Sequence, residues 1–204
     1  MAISIGINGF GRIGRVALRI AISQPDTFKL CGINVRNADL DYMKYMVRYD
    51  STFGRFQGEL DTYEQGLIIN GLKIPVFSES DASLIPWDSC GAEYIIDATG
   101  AYCTTQKAMD HLQGGAKKVI ISAPAKDEET PTFIMGVNHT EYNSDMPVVS
   151  NASCTTNCLA PICKILEDNY GIEYGLMSTI HASRRLLTAV LRRTGEPAVL
   201  HLAI

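Results

Sequence analysis

Cys154 and His181 are the residues best suited to covalent chemistry in this sequence. Cys154 lies in Ser150-Asn151-Ala152-Ser153-Cys154-Thr155-Thr156-Asn157-Cys158, after the apolar pair Val148-Val149 and before an apolar-periodic segment from Leu159 to Tyr170. That order reads as strand, turn, helix. Ser153 or Thr155 is a suitable N-cap, which puts Cys154 at or near the helix N-terminus. The helix dipole and the unpaired N–H groups there favour a thiolate over a thiol. A thiolate can add to a carbonyl, and an imidazole beside it can take a proton and lower the thiol pKa. His181 follows Ile172 to Ile180, which reads as a strand. The plainer alternatives are a cysteine packed as a small hydrophobe and a histidine of the core or surface.

A second constellation is Gly9-Phe10-Gly11-Arg12-Ile13-Gly14, the pattern G-x-G-x-x-G. It follows the β-branched run Ile3 to Ile7 and opens a helical pattern through Ile13, Val16, Ala17, Ile20 and Ala21, which Pro25-Asp26 stops. Lys29 to Asn34 then reads as a second strand, closing a unit of about 30 residues in which the motif signals a dinucleotide site. Gly9 would allow the tight turn, Gly11 the close approach of a pyrophosphate, and Gly14 the packing of helix on strand. The diphosphate would rest on the helix N-terminus. An acidic residue is expected where the second strand ends, to hold ribose hydroxyls. The sequence there is Ile33-Asn34-Val35-Arg36-Asn37, and Asp39 and Asp41 come later. Asn34 is the candidate ribose contact, and Arg36 suits a 2′-phosphate or simple solvation.

The elements that must position these residues follow from periodicity. Leu40 to Arg48 reads as a helix, Tyr49 to Gln57 as a loop, and Asn70-Gly71 as a type I′ hairpin turn within Gly66 to Pro75. Glu93 to Gly100 reads as a strand running into a Thr-Gly turn, Lys118 to Pro124 as another strand, Thr104 to Leu112 as a helix, and Phe133 to Val137 and Val148 to Ser150 as short strands. Strands alternating with helices predict a doubly wound α/β sheet, with the hairpin as an antiparallel addition. Ligands of such sheets bind beyond the carboxyl ends of the strands. Thr99, Gly100 and Ser122 occupy such ends and are candidate cofactor contacts, with ordinary turns as the alternative.

Of 204 residues, 46% are hydrophobic and 20% charged, which predicts a globular chain with room for one full domain and part of a second. A net charge of −4 gives no reason to expect nucleic acid or an anionic membrane as partner. No apolar run approaches the roughly 18 residues of a membrane span. The N-terminus reads as a strand, not a signal peptide. The six cysteines are scattered without a disulfide framework, so reduced thiols in a cytoplasm are expected. Cys154 and Cys158 are one helical turn apart, but a zinc site needs further ligands and none is evident, so no metal is expected.

Together these residues resemble phosphorylating glyceraldehyde-3-phosphate dehydrogenase over residues 1 to about 183. The motifs that carry the resemblance are Ile7 to Arg15, Tyr49 to Gly54, Ser122 to Lys126, Ser150 to Pro161 and Thr179-Ile180-His181-Ala182. The resemblance implies a Rossmann-type NAD-binding domain over 1–150 and the truncated start of an α+β catalytic domain over 151–183. It implies Cys154 as nucleophile, His181 as general base, and Ser153 and Thr155 as phosphate contacts. Gly9, Gly11, Arg12, Ile13, Gly14, Asn34, Thr99, Gly100 and Ser122 would surround the cofactor. The implied reaction oxidises glyceraldehyde 3-phosphate to 1,3-bisphosphoglycerate in glycolysis, with inorganic phosphate and a thioester on Cys154. Two departures stand out. The family's usual Asn-Asp after the second strand is Asn34-Val35 here, which leaves NADP open beside NAD. From Arg184 the chain turns Arg/Leu-rich, and 184–204 is expected to be an aberrant, poorly ordered tail arising from a frameshift, mis-splicing or gene-model error near Ser183. The family is homotetrameric. This chain is not expected to be, because the second domain supplies much of that interface. Two alternatives remain: a catalytically inactive NAD-binding fragment of the same family, and another acylating oxidoreductase such as a semialdehyde dehydrogenase.

Overall fold

The computed structural model describes residues 2–180; His181 and the tail over 184–204 lie outside the described residues. The chain divides into two compact units, one ending at Ser153 and one beginning at Cys154.

The first unit begins with β1 (Ile3–Asn8), α1 (Arg12–Ser23), β2 (Phe28–Asn34) and α2 (Leu40–Arg48). A short antiparallel pair follows, β3 (Tyr49–Asp50) with β4 (Gly54–Arg55). Next come β5 (Leu60–Tyr63), β6 (Gly66–Ile69), β7 (Leu72–Phe77), α3 (Trp87–Cys90) and β8 (Tyr94–Asp97). The unit is completed by α4 (Thr105–Ala108), α5 (Asp110–Gln113), β9 (Lys118–Ile121) and β10 (Val148–Ser150). Among the described residues, eight strands form one sheet in the order β10-β9-β8-β1-β2-β7-β6-β5. The run from β10 to β7 is parallel, and β6 and β5 add antiparallel at one edge. Chain order reverses at β1, with β2 on one side and β8 on the other. In open parallel sheets, that reversal is where a crevice forms.

Side-chain alternation along the strands separates two cores. Tyr94 and Ile96 of β8 pack with Ile5, Ile7, Leu18, Met43 and Val47, the α1 and α2 face. Ile95, between them, joins Trp87, Ala108, Val119 and Ile121, the α3 to α5 face. This is the doubly wound arrangement the pattern predicted. Asn70 and Gly71 have φ of 50° and 80°, as a type I′ turn requires.

Four expectations need correction. Phe133 to Val137 forms no strand; a single bridge joins Thr132 to Ser150. The Asn138 side chain takes the backbone partners instead, accepting from Ile134 N–H at 2.8 Å and donating to Thr132 C=O at 2.9 Å. Thr104 to Leu112 is two short helices meeting at Met109 rather than one. The loop from Tyr49 contains the β3–β4 pair.

The fourth lies in the second unit. Its helix α6 (Cys154–Tyr170) ends at Gly171, whose φ is 75° and whose N–H donates to Glu167 C=O at 3.1 Å. Ile172 to Ile180 then runs without strand structure. A strand exists through its ladder partners, and among the described residues none pairs with this segment. Tyr174, Leu176 and Ile180 are exposed, at 88%, 103% and 97%.

Candidate functional site

The turn after β1 is shaped by its glycines. Gly9 has φ 98°, a conformation that favours glycine. A Cβ on Gly14 would lie 2.0 Å from the Gly9 carbonyl oxygen, so only glycine lets α1 approach the turn. A Cβ on Gly11 would meet nothing within 4 Å, because its face is open. Gly11 is the N-cap of α1 but offers no side-chain cap, and the first turn holds no acidic residue. The N–H groups of Arg12, Ile13 and Gly14 are thus the ones a helix start leaves for a ligand. The loop is braced by Arg15, whose Nη1 donates to Phe10 C=O at 3.0 Å. Burial pulls the Arg15 pKa below its ordinary value, with the Asp50 charge opposing.

Above the strand ends lies a cleft of about 590 Å³. Asn8, Gly9 and Gly11 line it from β1 and its turn, Asn34 to Asn37 from β2, Ser78 to Ser80 from β7, and Ala98, Thr99, Ala101 and Tyr102 from β8. Of the predicted cofactor residues, Gly9, Gly11, Asn34 and Thr99 are in its wall. Gly14 lies beneath the turn. Arg12, Ile13, Gly100 and Ser122 are not among the lining residues. The Arg12 guanidinium donates to Thr52 Oγ1 at 3.0 Å. Gly100 has φ 71° just after Thr99. Ser122 follows β9 and gives its N–H to Asp97 C=O at 2.9 Å.

Asn34 is 3% exposed, and both N–H donors of its amide are committed. Its Nδ2 donates to Asn8 Oδ1 at 2.8 Å and to Glu79 C=O at 3.0 Å, and its Oδ1 accepts from Glu79 N–H at 2.9 Å. It braces β2 to the segment after β7. Thr99 is also tied: its Oγ1–H and N–H both donate to Asp97 Oδ1, at 2.7 and 3.1 Å.

These bonds belong to a buried polar network that sequence reasoning missed. Asp97 Oδ2 accepts from Asn8 Nδ2 at 2.7 Å and lies 3.2 Å from His111 Nε2. Trp87 Nε1–H donates to His111 Nδ1 at 3.1 Å. An indole N–H can only donate, so Nδ1 is the acceptor and the ring proton sits on Nε2, facing Asp97. His111, unassigned from sequence, therefore has partners at both ring nitrogens. A polar residue at the buried end of each of β1, β2 and β8 was the available signal. His139 Nδ1, equally unassigned, accepts from Gly136 N–H at 3.0 Å.

The Tyr49 to Gly54 motif is a turn around Asp50. Its carboxylate accepts from Phe53 N–H at 2.9 Å and Thr52 N–H at 2.8 Å. The Phe53 N–H foremost, then the Thr52 N–H and the charges of Arg12 and Arg19, hold its pKa below the ordinary value against partial burial. Arg19 Nη2 bonds Val47 C=O at 2.6 Å and Gly54 C=O at 3.0 Å. Both sides of the motif are thereby fastened to α1.

In the second unit, Cys154 is the first residue of α6, at the helix N-terminus as predicted, and Thr155 follows it within the helix; Ser153 is the last residue of the first unit. The Cys154 side chain is exposed, whereas Cys31 and Cys103 are buried. The structure does not describe His181, so its separation from Cys154 lies outside the described residues.

Residues 3–105 match the family model described as glyceraldehyde 3-phosphate dehydrogenase, NAD binding domain, and residues 153–190 match the C-terminal domain of the same family. The second match runs past Ser183. The chain is 55% identical over 178 residues to a glyceraldehyde-3-phosphate dehydrogenase of Aspergillus oryzae, covering 87% of this chain and 52% of that protein. It is 51% identical over 198 residues to one of Debaryomyces hansenii, covering 97% and 57%. A cytosolic one of Gracilaria gracilis is 51% identical over 179 residues, covering 88% and 52%. The chain spans about half the length of the curated relatives it matches.

Proposed function

The chain belongs to the glyceraldehyde-3-phosphate dehydrogenase family, and from that premise we propose that it is an NAD-dependent oxidoreductase. The reaction is phosphorylating oxidation of glyceraldehyde 3-phosphate to 1,3-bisphosphoglycerate. The observation that carries this reading is the turn at Gly9 to Gly14: an open face at Gly11 ahead of a helix start with no side-chain cap. That cradle fits a dinucleotide diphosphate.

Cys154, at the start of α6, is the nucleophile. His181 takes the thiol proton of Cys154 as its sulfur adds to the aldehyde carbon. NAD supplies the acceptor for the hydride that this carbon gives up as the thioester forms on Cys154. Inorganic phosphate then attacks the thioester carbonyl, the C–S bond breaks, and acyl phosphate leaves with the thiolate restored. Ser153 and Thr155 hold phosphate oxygens, while Thr99, Gly100 and Ser122 contribute to the cofactor side. A cytosolic setting is part of this reading, supported by the name of the Gracilaria gracilis relative. A homotetramer is not part of it.

The test is NADH formation, followed by absorbance, from glyceraldehyde 3-phosphate, phosphate and NAD. Cys154→Ser, or alkylation of Cys154, abolishes it in this account; turnover that survives either change sinks the account. A second reading is favoured by one observation: no residue of α6 is buried, and apolar side chains after it stand exposed. Under that reading the chain binds NAD without turnover, and the same assay joined to a binding measurement separates the two.

A further inference from the structure

We propose that Glu79 holds the adenosine ribose hydroxyls of NAD, the role that a carboxylate at the end of the second strand ordinarily plays, and that it sets the preference for NAD over NADP. The inference rests on the cofactor reading above. Ribose recognition in such sheets calls for a carboxylate near the end of β2, and that end offers none. Asn34 is buried with its amide committed. Val35 is apolar and packs against the core. Asp39 caps α2 by accepting from Tyr42 N–H at 3.0 Å, and neither it nor Asp41 lines the cleft.

Among the described residues, Glu79 is the one acidic residue that lines the cleft. It is exposed, and its carboxylate makes no hydrogen bond or ion pair with the described residues. Its backbone, by contrast, is fixed. Asn34 binds both its N–H and its C=O, at 2.9 and 3.0 Å, and Val35 N–H donates to Phe77 C=O at 3.0 Å. The clamp sets Glu79 beside the end of β2, with the acid moved one strand over. A carboxylate has two acceptor oxygens for a vicinal diol, and charge-assisted hydrogen bonds of this kind are strong. The same negative charge repels a 2′-phosphate, which Arg36, also in the wall, would otherwise attract.

The experiment is calorimetric titration of the full chain with NAD, with NADP, and with NAD lacking the 2′-hydroxyl of the adenosine ribose. Glu79→Gln should weaken NAD about tenfold, leave the 2′-deoxy analogue almost unchanged, and narrow the gap between NAD and NADP. Val35→Asp placed on Glu79→Gln should recover NAD affinity by returning a carboxylate to β2. NAD affinity unchanged by Glu79→Gln, or an equal loss for the deoxy analogue, overturns the assignment. A parent chain that binds no NAD overturns the cofactor reading and this inference with it, a result distinct from a variant that matches its parent.

Discussion

His111 has both ring nitrogens engaged, with Trp87 on one side and Asp97 on the other, at 0% exposure. Removing the ring strands a buried indole N–H and leaves Asp97 Oδ2 with Asn8 as its remaining partner. His111→Leu should cost about 3 kcal/mol, read by urea unfolding. Trp87→Phe should then cost less in that background than in the parent, because the donor it removes is already unpaired; additive costs would contradict the network. Asp50 gives a pH signature. Its folded pKa is depressed, so the stability it contributes is complete above the unfolded value of about 4 and is lost as pH falls through the folded value. The stability difference between parent and Asp50→Asn should be constant above about pH 5 and shrink below about pH 4; a flat difference across that range would refute it. Thiol chemistry separates the cysteines. Burial pushes the Cys90 thiol pKa up, and Cys31 and Cys103 are enclosed, whereas Cys154 and Cys158 are exposed. Mass spectrometry after brief iodoacetamide treatment of the folded chain should find Cys154 and Cys158 modified first.

At the scale of elements, the close approach of α1 to the turn after β1 depends on Gly14, which lies against the Gly9 carbonyl. Gly14→Ala should destabilise by at least about 3 kcal/mol, since the neighbour is backbone and cannot swing away; an unchanged Tm would show that α1 can shift freely. The same scale explains what could be read in advance. The glycine spacing, Asn70-Gly71 and the alternation of β-branched runs with helical patterns are local signals, and they marked β1, α1, β2, α2 and the hairpin. Cys154 at the first residue of α6 was likewise visible from its small hydroxyl neighbours and the apolar period behind them. Phe133 to Val137 misled because Asn138, one residue on, supplies the competing hydrogen bonds. Ile172 to Ile180 has strand composition without ladder partners among the described residues. The role of Asn34 was not legible, since its partners are Asn8 of β1 and Glu79 of the segment after β7.

At the scale of the molecule, the first unit is organised around the reversal of strand order at β1. The cleft gathers the ends of β1, β2, β7 and β8, and the Asn8–Asn34–Asp97–His111 network ties three of those strands beneath it. The second unit presents its cysteine at the head of α6 while burying no residue of that helix. The central claim is that the first unit is built to hold NAD on the turn between β1 and α1. Gly11 permits the most direct test, because a side chain there meets no protein atom within 4 Å yet fills the cradle. Calorimetric titration of NAD into the parent chain and Gly11→Val, with a thermal melt of each, is the measurement. The account predicts that the parent binds and that the variant keeps its Tm but loses at least about tenfold in affinity, a loss of about 1.4 kcal/mol. Equal affinity in the two, or a parent that binds no NAD, would contradict it.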